Sequence, residues 1–369
     1  MRNWIISSVI IASMIGCPDR SHAVSSLETV TTFDKERPGN LATTSDGRII
    51  VTMSALSHPT VNVREILQNN KTRAFPNLKW ASKPTDNEMG IERTIGIKVS
   101  SKGTVWMLDM GSEDLRRLPK LVGWNTKTER IEKVLPIPKE SLSNHPFLHD
   151  FVIDEKRHKF YIADMDFSNE SKRSERPALI VVDMKNGQTS RILEGIKPFM
   201  PSGDSIRVNG KIISSKTSAG TLKAHQYGLN PISIDPQGEW VYFGAMSGTD
   251  VFRIRAEKLS TLPSGSKETK NVEWYSKKPH CDGFVVDDKG NIYVTDIEQS
   301  AIGISNPKGY RIVIKDDQKL QWPDGLSIGT DHFLYITVNQ LNTLPELNGG
   351  VDESKPPYYV HRMNIKSLK

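Results

Sequence analysis

Cysteine is almost missing: Cys17 and Cys281 are the two in 369 residues. Cys17 lies in a stretch that reads as a removable leader, so no internal disulfide can staple the mature fold. Without a C-x-x-C pair, the usual zinc and thiol-redox spacings are excluded. Long apolar runs are also lacking. The one at the start, Trp4 to Gly16, is too short to span a bilayer as a helix. Charge of one sign is not gathered anywhere, and the net charge of +6 is spread along the chain. The densest basic stretch, "SKRSER" (Ser171 to Arg176), contains Glu175 and no interleaved aromatic residue, which argues against nucleic acid as a partner. Helical periodicity is scarce, with only "VREILQN" (Val63 to Asn69) offering a turn or two of helix. Nothing therefore alternates with strands as a parallel α/β fold requires. The nucleophile-elbow pattern G-x-S-x-G is absent too.

What is present begins with "MRNWIISSVIIASMIGCPDRSHA". A positive start at Arg2, an apolar run, Pro18, and small residues at Ser21 and Ala23 describe a secretory signal peptide over residues 1–23. The expectation is a secreted protein, extracellular or periplasmic, with no transmembrane segment after cleavage. A competing reading is lipid anchoring at Cys17, since "MIGC" loosely resembles a lipobox. The remaining residues, 24–369, read as one domain. Hydrophobic content of 37% and charged content of 25% are those of a soluble globular chain, long enough to be held by its core alone.

One pattern recurs along that domain. "PGNLATTSDGRIIVTMS" from Pro38, "TIGIKVSSKGTVWMLDMG" from Thr94 and "LHDFVIDEKRHKFYIADM" from Leu148 share it. So do "LNPISIDPQGEWVYFGAM" from Leu229, "CDGFVVDDKGNIYVTD" from Cys281 and "PDGLSIGTDHFLYITVN" from Pro323. Each is a short apolar strand, a polar turn, and a second strand rich in Tyr, Val, Ile or Trp. Further runs such as "PALIVVDM", "DVFRIRA", "SAIGISN" and "YYVHRMNI" supply third strands, and "RIVIK" a fourth. Copies begin roughly 40 to 80 residues apart, the range of a four-stranded blade. The fold class is therefore all-β, a six-bladed β-propeller, with a long β-sandwich as the alternative. "LETVTTF" (Leu27 to Phe33) is expected to complete the last blade beside the carboxy-terminal strand.

The first strand of each blade lines the central channel, so its leading residues should gather at one mouth. Aligned on Leu41, Ile97, Phe151, Ile232, Phe284 and Leu326, the copies bring forward Asn40, His149, Asp150, Asn230, Asp282 and Asp324. Convergent polar groups at a channel mouth define a binding-site hypothesis. Against it stands turn chemistry, because in "DG" the Asp often bonds its own backbone. A base could come from His145, His149, His225 or His280, with His149 favoured by its column. Calcium prefers six to eight oxygen ligands, and the column offers Asn and Asp oxygens.

These blocks, in order from Arg37 to the carboxy terminus, resemble the yellow/major royal jelly protein family, whose bacterial branch is described as L-dopachrome tautomerase-related. The resemblance implies a secreted six-bladed propeller with a small-molecule pocket at one end of the channel, which in some insect members binds biogenic amines. A wider likeness links these propellers to the SMP-30/gluconolactonase group, in which Glu, Asn and Asp hold a divalent ion. Asn230 and Asp282 stand where that group's Asn and Asp fall. Its Glu position is Gly39 or Asn40 here, and an accessory Asn position is His149.

Two functions follow. In the first, the protein binds a small aromatic or amine-bearing molecule and needs no cofactor. Asp282 and Asp150 face the amine, Asn40, Asn230, Asp324 and Asn339 orient polar groups, and Asp282, Asp150 or His149 serves as base for a tautomerisation. In the second, it is a metal-dependent lactonase or ester hydrolase, with Ca²⁺ or another divalent ion held by Asn230 and Asp282.

Overall fold

The computed structural model describes residues 26–85, 89–366 and 368. The leader, Cys17 and the expectations placed on them lie outside the described residues. Among the described residues, most strands form six four-stranded antiparallel sheets arranged as a six-bladed β-propeller, and the rest pair as three two-stranded ribbons.

The first blade comprises Pro38–Thr43, Ile49–Met53, Val63–Ile66 and Thr72–Ala74. The second runs Thr94–Val99, Thr104–Asp109, Lys120–Asn125 and Arg130–Pro136. In the third, Leu148–Asp154, Lys159–Asp164, Ala178–Asp183 and Thr189–Ile192 pair in that order. The fourth holds Leu229–Ile234, Trp240–Ala245, Asp250–Arg255 and Val272–Lys277. The fifth holds Phe284–Val286, Ile292–Asp296, Ala301–Asn306 and Gly309–Lys315. In the sixth, Pro323–Ile328, Phe333–Val338 and Tyr358–Asn364 are joined by Leu27–Phe33 from the other end of the chain. Leu27 pairs with Met363 and Phe33 with Tyr358. This closes the ring without a covalent bond, and the inner edges of the blades face one another around the axis. The helical reading of "VREILQN" is corrected: Val63–Ile66 is a strand. Its Val63 and Ile66 are buried, and pairing with Ile49–Met53 outweighs its weak helical periodicity.

Six of the hydrophobic clusters each sit between two neighbouring blades. One joins the first and second blades through Ala42, Ile50, Ile97 and Met107, another the sixth and first through Leu41, Val51, Tyr335 and Val360. The other four seams are built likewise. A seventh cluster is different. Met165, Ile206, Val208, Ile213, Tyr227, Met246, Trp322, Leu341, Leu344 and Leu347 pack at the end of the ring where the inner strands begin. They come mainly from two excursions, residues 193–228 between the third and fourth blades and residues 339–357 within the sixth. The excursions are zipped together, with Ser214 N donating to Leu347 O at 3.1 Å and Gly349 N donating to Ser214 O at 2.9 Å. The buried Arg37 clamps the second excursion, donating to Gln340 O at 2.9 Å and Thr343 Oγ1 at 3.2 Å. Together they roof the channel.

Candidate functional site

The leading residues of the inner strands are aimed by bulges. In five blades the pairing between first and second strands gains a residue at the start, between Pro38 and Leu41, Thr94 and Ile97, Leu148 and Asp150, Leu229 and Ile232, and Pro323 and Leu326. An extra residue bends the strand and re-aims its side chains. Threonines on the second strands secure these starts. Thr295 Oγ1 accepts from Asp282 N at 3.2 Å and Gly283 N at 3.0 Å. Thr52 Oγ1 accepts from Asn40 N at 2.9 Å and donates to Ile95 O of the next blade at 2.7 Å. Thr337 Oγ1 accepts from Gly325 N at 2.8 Å.

The glycines in "DG" are clearances between neighbouring inner strands. A Cβ on Gly283 would lie 2.4 Å from Asp324 O, and one on Gly325 would lie 2.5 Å from Asn40 Oδ1. The turn reading of these aspartates is therefore replaced. Asp282 Oδ1 accepts from Asn230 Nδ2 at 2.8 Å and its Oδ2 from Trp322 Nε1 at 2.7 Å. Asp324 Oδ2 accepts from Asn339 Nδ2 at 2.6 Å.

His149, Asp282 and Asp324 offer ligand atoms that all lie within 4.8 Å of one another. His149 Nε2 stands 3.5 Å from Asp282 Oδ1, and the imidazole stacks on Phe147 with ring centroids 6.0 Å apart. Asn230 Oδ1, His149 Nδ1 and Asp150 Oδ1 are buried without a hydrogen-bond partner. Asp150 Oδ2 is taken by the Lys98 ammonium at 2.7 Å. Asn40 joins less directly, its Oδ1 accepting from Leu41 N at 2.8 Å. Thus Asn230, Asp282, Asp324, Asn339 and His149 form one network. Asp150 flanks it with Lys98, and Asn40 is turned to its own backbone.

Asn40, His149, Asp150, Asn230, Asp282, Asp324 and Asn339 are all buried, none more than 8% exposed. The expectation of a mouth at this end is corrected: the residues form a buried polar cluster beneath the roof, with Trp322 bonded to Asp282 and Met246 to Asn230. Burial sets the electrostatics. It pushes the Asp324 carboxyl well above the usual carboxylate range, and the Asp282 charge pushes the same way. It also pushes the His149 imidazole down, against the pull of Asp282 and Asp150. A neutral imidazole and two close carboxylates are thus held out of water, an arrangement that gains from an incoming positive charge.

Other histidines lie elsewhere. His145 is exposed and faces Glu175 at 3.8 Å, so lying four residues before His149 does not bring it to the buried cluster. His280 faces Glu298 at 3.2 Å. His225 is in the roof, bonded to Ser215 Oγ at 2.8 Å and to the Tyr227 hydroxyl. Sequence reasoning missed Lys98, Trp322 and Tyr227. Trp322 and Lys98 each had a signal, the one directly before the sixth repeat and the other the lone cation in the column after Ile97. Tyr227, within the long third-to-fourth interval, had none.

At the opposite end, where the inner strands turn outward, the channel opens into a cavity of about 630 Å³. Its wall includes Ala42, Lys98, Val152, Ser233, Val285 and Ser327, one from each inner strand.

Fold and site together define a six-bladed propeller with a buried, carboxylate-rich cluster where its inner strands begin. Residues 94–366 match the family described as "Major royal jelly protein". The chain belongs to that family. No curated protein matches it in sequence. Among solved structures, a gluconolactonase from Xanthomonas campestris superposes with a TM-score of 0.55 at 8% identity, covering 93% of this chain and 91% of its own. A calcium-binding protein, regucalcin, from Agrobacterium tumefaciens gives 0.53 at 12% identity, over 92% and 93%. A luciferin-regenerating enzyme gives 0.54 at 12% identity, over 92% and 95%. At these identities the likeness is one of fold.

Proposed function

We propose that this propeller binds a small cationic molecule in a roofed chamber around this buried cluster, an amine whose ammonium sits against Asp282 and Asp324. The observation that carries this reading is the pair of buried carboxylates beside a neutral His149, short of positive charge on its own. The aromatic surroundings, Trp322 on Asp282 and Phe147 on His149, suit an aryl group attached to that ammonium. His149 and Asp282 are then the groups placed to take a proton from the ligand, the step a dopachrome-type tautomerisation needs. Tyramine and dopamine are the probes. Each is expected to raise the melting temperature, since a ligand at a hundred times its Kd adds about 2.7 kcal/mol. Loss of dopachrome absorbance tests turnover. Amines that leave the melting temperature unchanged sink the reading.

A second reading is favoured by the unpartnered Asn230 Oδ1 next to the His149, Asp282 and Asp324 group. One imidazole nitrogen, two carboxylates and an amide oxygen fit a divalent ion, with a nitrogen donor better suited to Mn²⁺ or Zn²⁺ than to Ca²⁺. Bound there, the ion would polarise a carbonyl and acidify a water for lactone or ester hydrolysis. A metal-specific shift in melting temperature, abolished by EDTA, selects this reading over the first.

Export completes the proposal. The leader pattern of residues 1–23 supports cleavage after Ala23, with Cys17 lipidation as the alternative product. Mass spectrometry of the mature protein distinguishes the two.

A further inference from the structure

We propose that the chamber is reached from the opposite, turn-side mouth, and that Lys98 is the residue that gates and selects what passes. This rests on the cation-binding reading for its ligand, although the route itself is a property of the channel.

Two observations argue against entry at the roofed end, where the cavity between the two excursions is about 160 Å³ and is lined by Val208, Ile213, Thr343 and Leu347. Its apolar residues are continuous and buried, from Tyr227 and Met246 to Leu341 and Leu344. The two excursions that carry them are also hydrogen-bonded to each other, and the second is held by Arg37. The other end is open. Its cavity of about 630 Å³ runs inward along the inner strands to Lys98. Of the six inner-strand residues at that level, Ala42, Lys98, Val152, Ser233, Val285 and Ser327, Lys98 alone carries a long charged side chain. Its ammonium reaches forward from the cavity wall to Asp150 Oδ2 at 2.7 Å. Asp150 directly follows His149, and its other oxygen is buried without a partner. The Lys98–Asp150 pair therefore stands at the step between cavity and chamber. Lys98 also acts electrostatically on both His149 and Asp324, so its charge is felt inside.

The physical consequence is a two-part filter. Anions meet the unpartnered oxygen of Asp150 and the carboxylates behind it. An organic ammonium can exchange with the Lys98 ammonium at Asp150 without leaving that carboxylate uncompensated, since one cation replaces another. Lys98 thus occupies the seat that a passing amine takes.

The test reads access without needing a ligand. Diethyl pyrocarbonate acylates neutral imidazole, and its product at His149 is located by peptide mass spectrometry. Lys98→Ala opens the step and is expected to raise the His149 labelling rate about tenfold, as the loss of one partly buried pair shifts a local opening equilibrium. Ser327→Trp narrows the cavity and should slow labelling, while Leu344→Ala, which loosens the roof, should leave it nearly unchanged. Should Lys98→Ala lose its cooperative melt, Lys98→Met keeps the stem and serves in its place. Labelling that ignores Lys98 and rises with Leu344→Ala would place the entrance in the roof and overturn the proposal. Tyramine binding followed by stopped flow separates the two readings. If wild-type protein binds no amine, the ligand assignment fails while the labelling result still decides the route.

Discussion

The carboxylates of Asp282 and Asp324 come from adjacent blades, 42 positions apart in the alternation of strands and turns, and meet with His149 inside a 4.8 Å group. Asp282 has both oxygens engaged by Asn230 and Trp322, while Asp324 has Asn339. Burial holds the Asp324 carboxyl high. At neutral pH the unfolded chain ionises this group freely, so folding must oppose that ionisation; the cost shrinks as pH falls below the raised folded value and is gone below the ordinary carboxylate value of 3.8. Asp324→Asn is therefore expected to stabilise the cation-free protein at pH 7 by about 1–2 kcal/mol. The same change should abolish the melting shift produced by an amine or a divalent ion. Urea unfolding with and without the cation measures both effects. A variant less stable than wild type and still responsive would refute this view of Asp324.

The histidines give the opposite pH sense. His225 in the roof and His361 in the sixth blade are both pushed down to about 4 by burial. In the unfolded chain they protonate near their ordinary value of 6.5. Their contribution is full above that value and is lost as pH falls toward about 4, because the unfolded state takes up protons first. Relative to His225→Leu, wild-type protein should lose about 3 kcal/mol between those limits. Equilibrium unfolding across the range, compared as a difference between the two proteins, isolates the group. A difference independent of pH would show that His225 is not held neutral.

Two glycines of similar sequence context should behave unlike each other. Gly283→Ala drives a Cβ into the carbonyl of Asp324, 2.4 Å away, and the inner strands must part. A loss of about 3 kcal/mol is expected, together with loss of cation binding because Asp282 and Asp324 move. Gly47, in the first hairpin turn, has φ +87 and nothing within 4 Å of a Cβ. Its alanine variant should cost about 1 kcal/mol of backbone strain and leave binding intact. Melting curves and amine titrations of the pair make the comparison.

Ring closure depends on the strand Leu27–Phe33. Phe33 is buried against Leu41, Val51, Tyr335 and Val360 at the seam between the last and first blades. Phe33→Ala should lower stability by about 3 kcal/mol through the cavity it leaves, without altering amine affinity in the protein that remains folded. If it instead melts like wild type, the closing strand is not needed for cooperativity.

Several features of this architecture are written locally. Strand-turn-strand units repeat with alternating apolar positions, so the blade count and the pairing of Leu27–Phe33 with the carboxy-terminal strand follow from short segments. Asn230, Asp282 and Asp324 could be picked from their shared column, since every repeat starts in the same phase. The same reasoning failed at Val63–Ile66, where four residues satisfy helical and strand periods alike and the neighbouring strand decides. It also kept turn chemistry as the alternative for Asp282 and Asp324 and gave Gly283 and Gly325 no role of their own, because clearance from another blade leaves no trace in nearby sequence.

The amino-acid order by itself determined the repeating strands, their number, the family likeness and the identity of the polar residues that lead each inner strand, since all of these depend on contacts and preferences within a few tens of residues. Only the tertiary structure decided that those residues lie under a roof, that Lys98 stands between them and the open mouth, and that Trp322 holds Asp282. Burial and charge coupling arise from side chains brought together across the ring by closure and by two long excursions, and no local pattern encodes the distance between them.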